Sequence, residues 1–237
     1  FFLADQLVSI SLVLQDIDFT ICYFTTSAFR GGGNSCATNH VWMTAILSVI
    51  PQLWRFLQCL RRYHDSKDVA QLQNAGKYGT GMLVAICSSM RSIVKSTPWL
   101  VLWLIFVIIA TIYSYGWDIY KDWSLGDRKS VNWMLRDQLL YPKWWYYAAA
   151  VANLILRLMW TLTISPDVVA SYFRLGKDGF TTMLVLVEVS RRAMWNIFRL
   201  ENEQLNNCGK FRAVQDIPLP LPLRPAVEEN LYQDKIK

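Results

Sequence analysis

Ionisable side chains interrupt several long apolar runs of this sequence. Arg157 lies within the run 154–160, and Glu188 precedes Arg191 and Arg192 by three and four residues. If these runs cross a bilayer, each central charge costs at least about 2.5–3.5 kcal/mol and needs a partner, a wet path or a substrate. One helical ion pair accounts for Glu188 and one arginine. The remaining guanidinium groups match tetrahedral oxygens bidentately, so the predicted ligand is an oxyanion.

Carboxylates in the same runs offer partners to these arginines. Asp118 and Asp122 are four residues apart and point to one side of a helix, and the first apolar run holds Asp5, Asp16 and Asp18. Two interpretations remain open. The carboxylates neutralise the arginines in a purely structural network, or they pair with them in the empty state and keep anion binding weak enough for release. We favour the second, because apolar side chains would pack the same bundle at lower cost.

Two further cations lie near the ends of apolar runs. Lys77 and Arg55 act either as anchors that extend to the membrane surface or as charges that collect an anion at the inner mouth. The basic segment from Arg61 to Lys67 is typical of attraction to anionic lipid, so membrane lipids are predicted partners.

Patterns that would indicate an enzyme, a metal site or a nucleic-acid partner do not occur in the sequence. His40 and His64 fall at the edges of apolar runs, and there is no zinc-protease motif and no nucleophile elbow. The net charge of +6 forms no basic stripe of the kind that nucleic acids bind. We therefore predict no catalytic residue, no cofactor, no metal and no nucleic acid.

The five cysteines include no CxxC pair, which argues against a metal site or a redox motif. Cys36 lies in a polar loop that follows the first apolar run, close in sequence to Cys22. A disulfide between these two is predicted if the loop is extracellular or lumenal.

Run lengths place the charged residues on membrane-spanning helices. The 237 residues are 53% hydrophobic and 18% charged, whereas soluble domains have about 25% charged residues. A spanning helix needs about 20 mostly apolar residues. The predicted fold is an all-α, polytopic transmembrane helical bundle with about six membrane-spanning helices, at about residues 1–25, 40–61, 74–94, 98–120, 143–165 and 179–203.

Loop charge orients this bundle. The loops 61–77 and 119–143 together carry nine Lys and Arg residues against five in the opposite loops, so the positive-inside rule places them and both termini in the cytosol. Residues 1–210 form the predicted transmembrane domain. Prolines at alternate positions from 218 to 222 preclude a helix, so residues 211–237 are predicted to be an extended cytoplasmic tail, either a linker or a site for a partner domain.

Five segments carry a resemblance to a known family. They are Ala4-Asp5-Gln6-Leu7, the stretch from Trp54 to Tyr63, Asn74-Ala75-Gly76-Lys77-Tyr78, Trp117-Asp118 with Asp122-Trp123, and the long block from Arg191 to Cys208. These segments resemble the EXS domain of the family that contains the xenotropic and polytropic retrovirus receptor and the plant phosphate exporters. The resemblance covers about residues 1–216, and its last block is the most specific part.

The resemblance implies an inorganic phosphate exporter with channel-like passage of phosphate from the cytosol through an Arg-lined path in the bundle. By match to the family pattern, Trp160 is expected to gate this path, with Arg55 and Glu188 in supporting positions. Val8 stands where relatives can have Asn, so either the inner site differs or that contact is dispensable. The residues expected to line the path are Asp5, Lys77, Asp118, Asp122, Arg157, Arg191 and Arg192.

The resemblance also implies partners and a location. Full-length relatives have an SPX domain that senses inositol pyrophosphates, followed by further helices. Neither lies in this chain, which starts without Met, so we expect both upstream. The expected location is the plasma membrane, with the Golgi or another endomembrane as the alternative, and a homodimer is one possible assembly.

Two rival functions remain: an EXS-only secretory-pathway protein that retains or recycles Golgi residents, and a proton or cation carrier that uses the aspartates.

Overall fold

A computed structural model describes residues 2–9, 11–26, 36, 41–164 and 176–207. Within these ranges the regular elements are helices and no strand occurs, which confirms the all-α prediction. The predicted tail, residues 211–237, lies outside the described residues. The α-helices are α1 (Phe2–Ser9), α2 (Ser11–Thr25), α3 (Val41–Ser66), α4 (Val69–Val94), α5 (Thr97–Trp117), α6 (Lys143–Arg157) and α7 (Lys177–Asn206).

Three helical segments are long and apolar enough to cross a membrane: Trp42–Ser66, Thr97–Asp122 and Lys143–Ile164. Large apolar side chains on them point outward, among them Ile112, Trp42 and Val151. Lipid solvates such side chains, whereas water would not. The chain is therefore a polytopic helical membrane protein. The other predicted spans also fold as helices, namely α1 with α2, α4 and α7, and their crossing of the bilayer stays a prediction.

Short turns connect the three middle helices. Lys67 and Lys95 adopt left-handed conformations at the ends of α3 and α4, a frequent way to end a helix. Asp68 then accepts a hydrogen bond from the Ala70 amide at 3.0 Å and caps the start of α4. Pro98 lies in the first turn of α5, where its missing N–H costs nothing. These turns make α3, α4 and α5 antiparallel neighbours.

Helix contacts run around a ring. α3 packs on α4, α4 on α5, α5 on α6 and α6 on α7, and the short helix α1 contacts both α3 and α7. The predicted first span is two helices in the structure, of which α1 takes part in the ring and α2 packs on α3. Side chains from all seven helices line the space inside this ring.

Two helices change their pitch next to predicted path residues. α5 continues as a π-helical turn over Asp118–Asp122, in which the Trp123 amide donates to the Asp118 carbonyl at 2.8 Å. α6 ends at Arg157 and continues as a 3₁₀ helix over Leu158–Ile164. Such local departures from the α-helix often occur at functional sites.

A buried polar cluster fixes the connection between α5 and α6 to the end of α7. The Arg136 Nη2 atom lies 2.7 Å from the Glu201 Oε2 atom. The Tyr146 hydroxyl donates to Glu201 at 2.5 Å, and the Leu140 amide donates to it at 2.9 Å. Asn202 donates to the Asp122 carbonyl at 2.8 Å. Together these bonds hold residues 123–142 on the predicted cytosolic face of the bundle.

Glu201→Ala is expected to destabilise the fold by about 3–5 kcal/mol, because it leaves the buried Arg136 guanidinium without its carboxylate. The measurement is thermal or denaturant unfolding in detergent. Asp65→Ala is the control, since it removes the carboxylate of an exposed pair with Arg61, and exposed pairs contribute little to stability. Equal stability of the two variants would contradict the assignment of this cluster as a structural clasp.

Candidate functional site

Two cavities lie inside the helix ring. The central cavity has a volume of about 390 Å³ and the inner cavity about 370 Å³. The inner cavity includes Arg62 and Asp68 at the α3–α4 turn, which is the predicted cytosolic end. Four residues line both cavities: Asp5, Lys77, Tyr78 and Trp195. The two cavities therefore adjoin each other at these four side chains.

The central cavity collects most of the residues that the sequence singled out. Asp118 lines the central cavity, whereas Asp122 of the same segment lines the inner cavity together with Arg55. Asp118 and Asp122 are both buried and lie one turn apart at different heights. The predicted residues that line the central cavity are Asp5, Lys77, Asp118, Arg157, Trp160, Glu188, Arg191 and Arg192.

Asp118 is the shared partner of two arginines. Arg157 donates to the Asp118 Oδ2 atom through Nε at 3.2 Å and also through Nη2. The Arg191 Nη1 atom lies 3.8 Å from the same oxygen. Asn153 connects them, because its amide donates to Asp118 at 2.9 Å and accepts from Arg191 at 3.4 Å. The sequence analysis missed Asn153, although it lies one helical turn before Arg157.

Glu188 holds the other side of Arg191. The two side chains form a bidentate pair, with N···O distances of 2.8 and 2.6 Å. Ser9 of α1 donates to Glu188 at 2.8 Å. Arg191 is thus fixed between two carboxylates from different helices, Glu188 of α7 and Asp118 at the end of α5.

Arg192 and Lys77 have a different environment. Arg192 donates to the Ser9 hydroxyl at 2.8 Å and lies 5.0 Å from the Trp195 ring. The Lys77 ammonium lies 4.7 Å from the Tyr78 ring and 5.2 Å from the Trp117 ring. Neither cation forms a salt bridge within the part of the chain that the structure describes. Both therefore present charge to the central cavity without a carboxylate at salt-bridge distance, while Asp5, Asp118 and Asp122 act on Lys77, and Glu188 on Arg192, from farther away.

Asp5 is paired at the boundary of the two cavities. Its Oδ1 atom lies 2.8 Å from the Arg55 Nε atom and accepts a hydrogen bond from the Tyr78 hydroxyl. Arg55 is only 2% exposed. The sequence assigned Arg55 a supporting position, and the structure places it against Asp5; the role of Tyr78 was not foreseen.

Trp160 lies where α6 has become a 3₁₀ helix, on the wall of the central cavity. Its ring meets Trp103 edge to face, with centroids 5.8 Å apart. Arg91 in turn lies 4.3 Å above the Trp103 ring. Of these three residues, Trp160 lines the central cavity, and none lines the inner cavity.

The inner cavity has a mixed charge. Arg199 lies 3.8 Å from Asp122 and 3.6 Å from Glu203, and Lys121 and Arg62 also line the cavity. The described residues contain no group of three or more His, Cys, Asp or Glu side chains that could hold a metal ion.

Away from both cavities, a disulfide joins Cys22 of α2 to Cys36, the pair that the sequence suggested.

The fold and the charged cavities define a class: polytopic helical membrane proteins with ionisable side chains around internal cavities. A family model described as the EXS family matches residues 1–205, and the chain belongs to the EXS family. It is 38% identical over 254 residues to the Xenopus laevis protein "Xenotropic and polytropic retrovirus receptor 1 homolog", covering 99% of this chain and 37% of that protein.

Two further relatives come from other kingdoms. "Phosphate transporter PHO1 homolog 8" of Arabidopsis thaliana is 42% identical over 223 residues, with 93% of this chain and 29% of that protein covered. "SPX and EXS domain-containing protein 3" of Dictyostelium discoideum is 39% identical over 227 residues, with 93% of this chain and 24% of that protein covered. The chain thus spans about a quarter to little more than a third of the length of these relatives.

Proposed function

We propose that this chain is the transmembrane core of an inorganic phosphate exporter, in which phosphate passes from the cytosol through the two cavities. The observation that carries this proposal is the charge of the central cavity. Among the described residues that line it, four are cationic, and only Asp118 and Glu188 oppose them, because Asp5 is paired with Arg55. The formal excess of two positive charges matches a divalent, multi-oxygen anion.

Known relatives support phosphate as that anion. The Arabidopsis relative is named a phosphate transporter, and the match covers nearly the whole of this chain. A dehydrated phosphate needs several donors at once, and guanidinium groups supply them in paired, planar geometry. Arg157, Arg191 and Arg192 offer such donors from two helices around one cavity.

Passage through the central cavity follows from its pairing pattern. Lys77 and Arg192, which lack carboxylate partners in the described structure, make the first contacts with the arriving anion. Phosphate then competes with Asp118 and Glu188 for Arg157 and Arg191. When the anion leaves, Asp118 and Glu188 pair with their arginines again. This competition limits the affinity of the site for phosphate, as rapid passage requires. Trp160 closes the outer end, and a potential that is negative inside favours exit by about 2.3 kcal/mol per charge per 100 mV.

The remaining expectations stay part of this proposal. The Dictyostelium relative is named for an SPX domain as well as an EXS domain, so we propose regulation by inositol pyrophosphates through an upstream SPX domain. The plasma membrane is the proposed location, with the Golgi as the alternative, and a homodimer is the assembly to be tested. No catalytic role is assigned to any residue.

The test is efflux of radiolabelled phosphate from proteoliposomes that contain the purified protein. We expect efflux that saturates with internal phosphate, accelerates when an outside-positive potential is imposed, and persists without a pH gradient. Efflux that follows a proton or cation gradient instead would favour the carrier that uses the aspartates. Absence of any phosphate flux would favour the protein that retains or recycles Golgi residents.

A further inference from the structure

Side chains of three helices line both the central cavity and the inner cavity: Asp5 of α1, Lys77 and Tyr78 of α4, and Trp195 of α7. Asp5 is also paired with Arg55 of α3, which lines the inner cavity. We propose that Asp5, Arg55 and Tyr78 form an inner barrier, held shut by the Tyr78–Asp5 hydrogen bond and the Asp5–Arg55 ion pair, and that α1 is the element that moves to open it. The inference rests on the proposed path through both cavities.

The barrier is built from polar contacts across the ring. Asp5 accepts from the Tyr78 hydroxyl and lies 2.8 Å from Arg55, while the Arg55 guanidinium also lies 4.9 Å from the Tyr78 ring. The three side chains therefore form a closed triangle. Tyr78 and Asp5 line both cavities, so the triangle has solvent-sized space on each side.

The cavities on its two sides distinguish this barrier from an ordinary buried ion pair. A structural pair, such as that of Arg136 with Glu201, is surrounded by packed protein. The Asp5 triangle instead meets the incoming anion directly, because Arg55 lines the inner cavity. An anion in the inner cavity competes with Asp5 for the Arg55 guanidinium. Loss of that partner leaves Asp5 held by the Tyr78 hydroxyl alone.

α1 connects the barrier to the arginines of the central cavity. Ser9 lies four residues after Asp5, one turn away on the same face. Ser9 accepts from Arg192 and donates to Glu188, both at 2.8 Å. Between them, Gln6 donates to Asn196 of α7 at 2.9 Å. The eight-residue helix α1 is thus fixed to α7 by short polar contacts, which exchange partners more readily than a packed apolar seam.

The geometry links two events. When phosphate takes the Arg192 guanidinium, Ser9 loses its donor, and α1 is held less firmly to α7. The same helix carries Asp5, so a displacement that follows anion binding at Arg192 also separates Asp5 from Tyr78. Lys77 lies beside Tyr78 and lines both cavities, so it presents a cation to the anion while the barrier is open.

Tyr78→Phe tests the barrier, since it removes the hydroxyl and retains the ring. The reporter is Met159→Cys, which lines the central cavity only, in protein with Cys59, Cys87 and Cys208 replaced by alanine. A membrane-impermeant methanethiosulfonate is added from the predicted cytosolic face. We expect modification about tenfold faster in Tyr78→Phe, as the loss of one hydrogen bond to a charged group implies.

Tyr113→Phe is the matched control. Its hydroxyl donates to the Gln73 carbonyl of α4 at 2.7 Å, so the variant also removes one tyrosine bond to α4, outside both cavities. We expect an unchanged modification rate in this control. Equal rates in Tyr78→Phe and its parent would overturn the barrier while leaving the path intact. A reporter that no reagent reaches from either face, in any variant, would overturn the path and the barrier together.

A second experiment tests α1 without weakening the fold. Gln6→Cys with Asn196→Cys places two thiols where a hydrogen bond now joins α1 to α7. A bis-methanethiosulfonate bridge between them is expected to reduce phosphate efflux at least tenfold, and a thiol reductant should restore it. Gln6→Cys alone, treated in the same way, is the control. Full efflux in the bridged protein would show that α1 does not move and would overturn its assignment.

Discussion

Replacement of both Arg191 and Arg192 by alanine is expected to reduce phosphate efflux at least about 100-fold. Each guanidinium makes hydrogen bonds to a charged ligand that contribute about 1.5–3 kcal/mol, and each 1.4 kcal/mol corresponds to about tenfold. Arg192 donates to Ser9 and forms no salt bridge within the described ranges, so its loss leaves no carboxylate without a partner, whereas the loss of Arg191 removes the ion-pair partner of Glu188. The released carboxylate repels the anion.

The measurement is the initial rate of radiolabelled efflux from proteoliposomes at matched protein density. Arg128→Ala with Lys129→Ala is the matched control, because this adjacent cationic pair lies exposed in the connection between α5 and α6. Replacement of both arginines by lysine keeps the charge but removes the planar guanidinium groups, and we expect an efflux rate between those of the parent and the alanine variant. Unchanged efflux in the alanine variant, with an unchanged unfolding temperature, would remove both arginines from the path.

Asp118→Asn is expected to lower the half-saturating phosphate concentration and the maximal efflux rate together, each about tenfold. Asp118 competes with phosphate for Arg157 and Arg191, so a neutral amide leaves both arginines to the anion and slows its release. The variant should also unfold more easily, because removal of one partner from a buried ion pair costs about 3–5 kcal/mol. Efflux is measured against internal phosphate concentration, and stability is measured separately in detergent.

Asp65→Asn is the control for this variant, since it removes the carboxylate of an exposed pair with Arg61. A parallel change of both transport parameters is the signature of competition. If Asp118→Asn raised the half-saturating concentration and left the maximal rate unchanged, the carboxylate would have to act on the phosphate itself. The proposed exchange of partners would then be wrong.

Local spacing foretold part of the site. The pairing of Glu188 with one arginine follows from positions three and four residues apart on one helix, and the structure selects Arg191. The pairing of Arg157 with Asp118 joins residues 39 positions apart, and no periodicity within either helix contains that information. Asn153 was overlooked because a single amide in an apolar run carries no charge to draw notice.

Changes of helix pitch account for other differences. An apolar run predicts a helix but not where it becomes a π-helical or 3₁₀ segment, because those choices depend on packing against neighbouring helices. The span predicted at 143–165 matches the helical segment Lys143–Ile164, but the apolar run did not show that the α-helix becomes a 3₁₀ helix after Arg157. Likewise, residues 1–25 were predicted as one span, whereas the structure has α1 and α2, with Ile10 outside the described residues.

The formal excess of two cations that we propose for the central cavity has a consequence for halides. Chloride brings a single charge and no oxygen atoms, so it leaves one positive charge of the cavity unmatched and cannot engage forked donors from two helices at once. If chloride entered the cavity, Arg157 and Arg191 would stay paired with Asp118 and Glu188, as they are in the empty cavity. We therefore expect discrimination against chloride to arise from its charge and its lack of several acceptor atoms, without a narrow constriction.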